Sequence, residues 1–126
     1  MALILDTNAL SAFADGDRAL LRIIAHEDLA IPAIVLGEYL FGIRHSRLRV
    51  SYMQWLQNNL PAFEVLEVGQ ETARHYANVR AELKSAGRPI PSNDVWIAAV
   101  AREYALPIVT QDTHFRSVPS LHLLPW

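Results

Sequence analysis

Short apolar runs alternate with longer helical patterns along the chain, and this alternation restricts the fold more than any other feature. The runs predict strands because each is brief and ends at a polar residue, glycine or proline; they span 3–5, 29–31, 63–68, 108–110 and 121–124. The longer patterns predict helices over 19–26, 33–43, 48–60, 71–86 and 93–104. Strands that alternate with helices indicate an α/β fold, in which a parallel sheet is covered by helices on both faces.

Three local signals refine this prediction. Gly87 follows the helix over 71–86 and is expected to cap it in the left-handed conformation. Ser92 is expected to cap the helix that begins at residue 93. The polar residues 6–8 end the first strand and predict a turn there.

Length and composition indicate one domain over residues 1–126. The 126 residues are 52% apolar, which suffices for one core, and no repeat or linker divides them. The absence of cysteine excludes a disulfide scaffold, a thiolate zinc site and a cysteine nucleophile, and it favours a reducing compartment such as the cytoplasm. No apolar stretch reaches the roughly 18 residues that span a bilayer, and no signal peptide is recognisable, so we expect no membrane association.

Four acidic residues occupy positions that suggest a site. Asp6 directly follows the first predicted strand, and Asp112 stands two positions after the strand over 108–110, so both are expected at the ligand-binding edge of a parallel sheet. Glu38 and Asp94 instead interrupt apolar helical stripes. The stripe around Glu38 contains Ile34, Phe41 and Gly42. The stripe around Asp94 contains Ile97, Ala98 and Ala101.

Glu38 and Asp94 are therefore expected to point inward. A lone ionised carboxylate there costs several kcal/mol, so each must be protonated, paired with a cation or bound to a metal. Neither has an arginine one helical turn away. Four inward acids at one edge of a sheet would repel one another, and a divalent cation would relieve that repulsion. Oxygen ligands without cysteine favour Mg²⁺ or Mn²⁺, and such an ion suits hydrolysis of a phosphodiester.

Purely structural explanations remain open for three of the acids. Asp6 and Asp112 are each compatible with a turn, and Asp94 with an acid that favours the first turn of a helix. Glu38 has fewer alternatives of this kind. Taken together, the four acids favour a site over four unrelated structural roles.

The segments around these acids resemble the PIN-domain ribonucleases, and among them the short VapC-like toxins of toxin–antitoxin pairs. Residues 3–8, LILDTN, are similar to the family's first strand and first acid, and Glu38 lies where its second acid does. Residues 90–99, IPSNDVWIAA, are similar to its third block, and residues 110–115, TQDTHF, to its closing block. Many relatives have a further acid directly before the last phenylalanine, where this chain has His114.

The resemblance implies a parallel sheet with flanking helices and endonucleolytic cleavage of RNA with Mg²⁺ or Mn²⁺. The metal ligands and catalytic residues would be Asp6, Glu38, Asp94 and Asp112, one of which orients the attacking water. The candidates to hold those carboxylates or metal-bound waters are Thr7, Asn8 and Thr110. The candidates to contact the substrate are Arg88 and His114. His114 is also compatible with contact to a metal-bound water or with packing near Phe115, and packing or exposure to solvent is the more frequent role of a lone histidine.

The resemblance also implies partners. An antitoxin protein and a second copy of the chain, giving a homodimer, are expected to use apolar surface on the helices over 33–43 and 48–60. Setting the four acids aside leaves nine acidic side chains against eleven basic ones, so the remaining surface is mildly basic. Four basic residues lie within 44–49: Arg44, His45, Arg47 and Arg49. Three roles are open for them: contact with RNA phosphates, contact with an acidic peptide, or a solvated turn between two helices.

Two other functions compete with the nuclease. A haloacid-dehalogenase-like phosphatase also has an aspartate after its first strand, but it needs a second one where Asn8 stands, and a lysine near the site, whereas the only lysine is Lys84. A non-catalytic module of the same fold that binds RNA or protein is the second alternative.

Overall fold

The computed structural model describes residues 2–126, and within them five strands form one parallel sheet. The strands are β1 (Ala2–Leu5), β2 (Asp28–Pro32), β3 (Phe63–Leu66), β4 (Ile108–Val109) and β5 (Leu123–Leu124). Their order across the sheet is β3-β2-β1-β4-β5, so the first strand is central. The predicted α/β fold with a parallel sheet is confirmed.

Helices cover this sheet on both faces. They are α1 (Thr7–Ala14), α2 (Arg18–Ile24), α3 (Ala33–Arg44), α4 (Arg49–Asn59), α5 (Gln70–Ser85) and α6 (Ser92–Tyr104), with short 3-10 turns at Leu60–Ala62 and Thr113–Ser117. Leu3, Ile4 and Leu5 are all buried, and because neighbouring side chains of a strand point to opposite faces, both faces of β1 must be covered. Among residues 2–126, no helix has the length and apolar character needed to cross a bilayer.

The register of the central strands fixes where the site forms. In the parallel β1–β4 pair, Leu5 lies opposite Val109. The next residues, Asp6 and Thr110, therefore leave the sheet side by side at the same edge. This is the edge at which open parallel sheets bind ligands.

Helix α1 was not predicted, because the polar residues after β1 were interpreted as a turn. The chain instead enters a helix at once, and Asp6 caps it by accepting a hydrogen bond from the Ala9 amide at 2.8 Å. Ala9 and Leu10 are buried on the inner side of α1. The apolar spacing of Ala9, Leu10 and Phe13 behind a capping aspartate is the signal that would have identified this helix.

The two predicted caps have different outcomes. Gly87 has a φ of 66°, and the Arg88 amide donates to the Leu83 carbonyl at 2.9 Å, which confirms a left-handed end to α5. The cap at Ser92 is wrong: Ser92 is the first helical residue, Pro91 precedes it, and no side chain caps the helix. Ser92 and Asn93 are exposed, so water can satisfy the free amides of the first turn in place of a capping side chain.

Candidate metal centre

Asp6 is the most deeply buried of the four predicted acids, at 3% exposure. One of its oxygens accepts from the Ala9 amide, and the other accepts from the Thr110 hydroxyl. Burial raises the pKa of Asp6 above its ordinary value; the two hydrogen bonds oppose this rise, and the charges of Asp112 and Asp94 add to it. The Asp6 carboxylate is thus held in place in surroundings that disfavour its charge.

Asp94 and Asp112 come from different elements and meet at one histidine. Asp94 lies in the first turn of α6, and Asp112 precedes the 3-10 turn that follows β4. His114 Nδ1 lies 3.0 Å from Asp94 Oδ2 and 3.1 Å from Asp112 Oδ1. Burial raises the pKa of Asp94; the hydrogen bond from His114 opposes the rise, and the charges of Asp112 and Glu38 add to it. These contacts place His114 between two acids.

Glu38 is held at the cleft by two hydrogen bonds. The Thr7 hydroxyl donates to Oε1 at 2.9 Å, and Asn93 Nδ2 donates to Oε2 at 3.1 Å. Asn93 directly precedes Asp94, so this contact joins α3 to the start of α6. Asn93 was not predicted as a site residue, although its position beside a predicted acid was a usable signal.

The expected inward stripe around Glu38 is wrong in part. Phe41 is 66% exposed and Gly42 is also exposed, whereas the buried face of α3 consists of Val35, Tyr39 and Ile43. Glu38 therefore lies at the edge of an open cleft, half-buried, and not within the core. The stripe around Asp94 is confirmed, since its apolar members are buried: Ile97, Ala98 and Ala101.

The structure brings the four acids to one cleft. Thr110 connects two of them, because its hydroxyl donates to Asp6 and accepts from the Asp112 amide at 2.9 Å. One ligand atom each from Asp94, Asp112 and His114 lies within 4.8 Å of the others, close enough to share a metal ion. Mutual repulsion and a set of mostly oxygen donors fit a hard divalent cation.

Two other predicted residues lie away from these contacts. Asn8 is exposed and makes no side-chain hydrogen bond to the acids among residues 2–126. Arg88 is exposed in the turn after α5, and within the described chain its side chain forms no ion pair with them. The supporting contacts that the structure shows come from Thr7, Thr110 and Asn93.

Comparison with known proteins identifies the family. Residues 3–121 match the family model described as the PIN domain. The chain belongs to the PIN-domain family. The matched span contains all four acids of the cleft and, apart from Ala2 at the start of β1, every strand except β5.

PIN-domain relatives with curated names are similar over most of the chain. Ribonuclease VapC5 of Mycobacterium tuberculosis is 32% identical over 118 residues, which cover 91% of this chain and 86% of that protein. The tRNA(fMet)-specific endonuclease VapC of Shigella flexneri is 30% identical over 99 residues, which cover 78% of this chain and 75% of that protein. Both relatives are named as enzymes that cut nucleic acid.

Solved structures share the fold over nearly the whole chain. VapBC2 from Rickettsia felis, bound to a DNA fragment from its promoter, matches with a TM-score of 0.88 and 27% identity over 100% of this chain and 99% of that chain. The toxin–antitoxin member VapBC-5 from Mycobacterium tuberculosis matches with a TM-score of 0.79 and 30% identity over 99% and 98% of the two chains.

Proposed function

We propose that residues 1–126 form one nuclease domain that hydrolyses RNA endonucleolytically with Mg²⁺ or Mn²⁺, as the toxin of a toxin–antitoxin pair. The observation that carries this proposal is the meeting of four acids from four distant segments at one edge of the sheet, where side-chain contacts connect them. The names of the relatives support the reaction and the pairing with an antitoxin.

The ion would be held by Asp6, Glu38, Asp94 and Asp112. When bound, it supplies charge that offsets the developing negative charge on a phosphodiester and lowers the pKa of bound water. The chain's part is positioning. Thr110 and the Ala9 amide fix the Asp6 carboxylate, while Thr7 and Asn93 fix that of Glu38.

His114 has a separate role in this proposal. Its Nδ1 is within hydrogen-bond distance of two acids, and its side chain is 48% exposed. An imidazole so placed links Asp94 and Asp112 before substrate binds, and its exposed part is accessible to an RNA in the cleft. His114 is therefore a candidate both to orient the acids and to contact substrate.

The proposed partners use a different part of the surface. Phe41, Leu48 and Val50 are exposed near the turn between α3 and α4, at 66%, 57% and 67% respectively. Large apolar side chains grouped in this way are typical of protein interfaces. We assign this surface to the antitoxin or to a second subunit of a homodimer. The proposed location of the protein is the cytoplasm, where it would meet its RNA substrate.

The test is cleavage of RNA, including total tRNA, by the purified chain. We expect cleavage with added Mg²⁺ or Mn²⁺, none with EDTA, and a loss of about 100-fold or more in Asp94→Asn, because even residues that only support metal ligands contribute 10–100-fold. Glu64→Gln is the matched control, because Glu64 is exposed on the edge strand β3 and lies outside the acidic cluster. This variant should cleave RNA normally.

Two results would reject the nuclease. Cleavage that persists in EDTA and in Asp94→Asn would show that the cluster is not the site. Folded protein that binds RNA without cutting it under any of these conditions would favour the non-catalytic module. The phosphatase alternative is not favoured, because Asn8 stands where its second aspartate is required and the chain belongs to the PIN-domain family.

A further inference from the structure

Two cavities adjoin the acidic cleft on different sides. One, of about 270 Å³, shares Thr7 and Glu38 with the cleft and adds the carboxylate of Asp15. The other, of about 430 Å³, shares Thr110 and Asp112 with it. An RNA chain that crosses the cleft continues into one of the cavities beside it. The charged and aromatic side chains that line each cavity therefore indicate which path the RNA takes.

The charges of the two cavities differ. The cavity beside Glu38 is lined by no lysine or arginine, and its added carboxylate repels a polyanion. The cavity beside Asp112 is lined by Arg116. Arg116 is exposed and forms no ion pair or hydrogen bond through its side chain among residues 2–126, whereas Asp112 has His114 as its partner. The Arg116 guanidinium is thus available to a phosphate.

An aromatic ring completes the second cavity. Trp126 lines it, is half-buried and packs against the core. Its backbone carbonyl accepts a hydrogen bond from Gln111 Nε2 at 2.8 Å, which holds this residue beside the end of β4. An arginine for the phosphate and an aromatic face for the base form the combination that binds single-stranded nucleic acid without strict sequence preference.

We propose that the nucleotide adjoining the scissile phosphate binds in the cavity lined by Arg116 and Trp126, with the guanidinium on its phosphate and the indole against its base. This inference rests on the proposed function, since it assumes RNA in the cleft. It assigns the direction in which the RNA leaves the acids: past β4 and β5, away from Glu38.

The experiment measures binding and does not depend on cleavage. Asp94→Asn protein is titrated with pentaadenylate RNA and with an abasic pentanucleotide of equal charge, and tryptophan fluorescence is recorded. We expect pentaadenylate to quench the fluorescence and to bind about tenfold more tightly than the abasic chain, because only a base can stack on the indole. Adding Trp126→Phe should remove most of the quenching.

The contribution of Arg116 is tested in the same background. Arg116→Gln should weaken binding of both chains about fivefold, and the slope of log K against log salt should fall by about 0.7, the value for one phosphate contact on a single strand. Arg22→Gln is the matched control, because Arg22 is exposed on α2 and lines neither cavity.

Three results would overturn the assignment: equal binding of the two chains, quenching retained in Trp126→Phe, or the same affinity for Arg116→Gln and Arg22→Gln. The Arg116 comparison stands even if Trp126→Phe fails to fold. Failure here is distinguishable from failure of the proposed function. If the protein cleaves RNA but gives any of these three results, the proposed function stands and the subsite is absent. If the protein cleaves no RNA, the proposed function fails, and the titration still measures whether RNA binds at Arg116 and Trp126.

Discussion

Asp6 has two functions that conflict in the metal-free protein. As the cap of α1 its carboxylate accepts from the Ala9 amide, and as a member of the acidic cluster it lies near the charges of Asp112 and Asp94. Burial and those charges raise its pKa, so its charged form is less stable in the folded chain than in the unfolded chain. The metal-free fold is therefore destabilised wherever Asp6 is ionised.

The pH dependence follows from the direction of this shift. A raised folded pKa gives a stabilising contribution that is complete below the unfolded value of about 4 and is lost as pH rises through the folded value. We expect Asp6→Asn to increase the free energy of unfolding at pH 7 in EDTA and to have no such effect near pH 3. Asparagine caps a helix about as well as aspartate, so α1 should be preserved.

Urea unfolding at the two pH values, with and without Mg²⁺, checks this prediction. Added Mg²⁺ should stabilise the unaltered protein more than Asp6→Asn, because in the proposed site the ion would bind the folded state through this carboxylate. Asp17→Asn is the control, since Asp17 caps α2 in the same manner but is exposed and outside the cluster. A less stable Asp6→Asn at pH 7 in EDTA would contradict the account.

Two glycines, one just after α5 and one within α3, should respond to alanine in opposite directions. Gly87 ends α5 with a φ of 66°, where a Cβ is strained, so Gly87→Ala should lower the free energy of unfolding by about 1 kcal/mol. Gly37 lies within α3, and apart from its chain neighbours and the backbone of its own helix a Cβ there would meet no atom within 4 Å. Gly37→Ala should therefore raise the free energy of unfolding by about 0.5–1 kcal/mol.

Chemical denaturation of both variants measures these changes, and each variant serves as the control for the other. Loss of stability in Gly37→Ala would show that the helix interior has a restraint that the added Cβ violates. No loss in Gly87→Ala would show that the end of α5 relaxes to a conformation with negative φ.

Elements were predictable where one pattern dominated and not where two competed. The runs that became β1 and β2 are short and continuously apolar, a pattern typical of buried strands, and both strands were predicted. At α3 the sequence is apolar almost all round, so it does not specify which face is buried. The interpretation of Phe41 as an inward-facing residue was wrong, whereas Tyr39 and Ile43 are buried. At α1 the turn propensity of residues 6–8 masked the helix that follows.

At the scale of the whole molecule, convergence of the acids was predictable because it follows from topology. The parallel pairing of β1 with β4 brings Asp6 and the segment with Asp112 to one edge, and no side-chain detail is needed for this step. The contacts of Asn93 with Glu38 and of His114 with Asp94 depend on rotamers and on helix placement, which the sequence pattern does not encode.

The exposed apolar surface near the α3–α4 turn predicts self-association. A stable interface removes about 800 Å² per partner from water, and Leu48 and Val50 are among the most exposed large apolar side chains of the chain. We expect light scattering to give about twice the 14.2 kDa mass at micromolar concentration. Val50→Asp should give the monomer, because a charge buried without a partner disfavours the interface.

The position of Val50 makes this substitution selective. It is the second residue of α4, where a negative charge interacts favourably with the helix dipole, so the fold should tolerate aspartate. Val68→Asp, at a 40% exposed position after β3, is the matched control and should remain dimeric. A monomer at all micromolar concentrations would reject the dimer. If Val50→Asp remains dimeric, the dimer interface lies on another face, and the surface near the α3–α4 turn is left to the antitoxin.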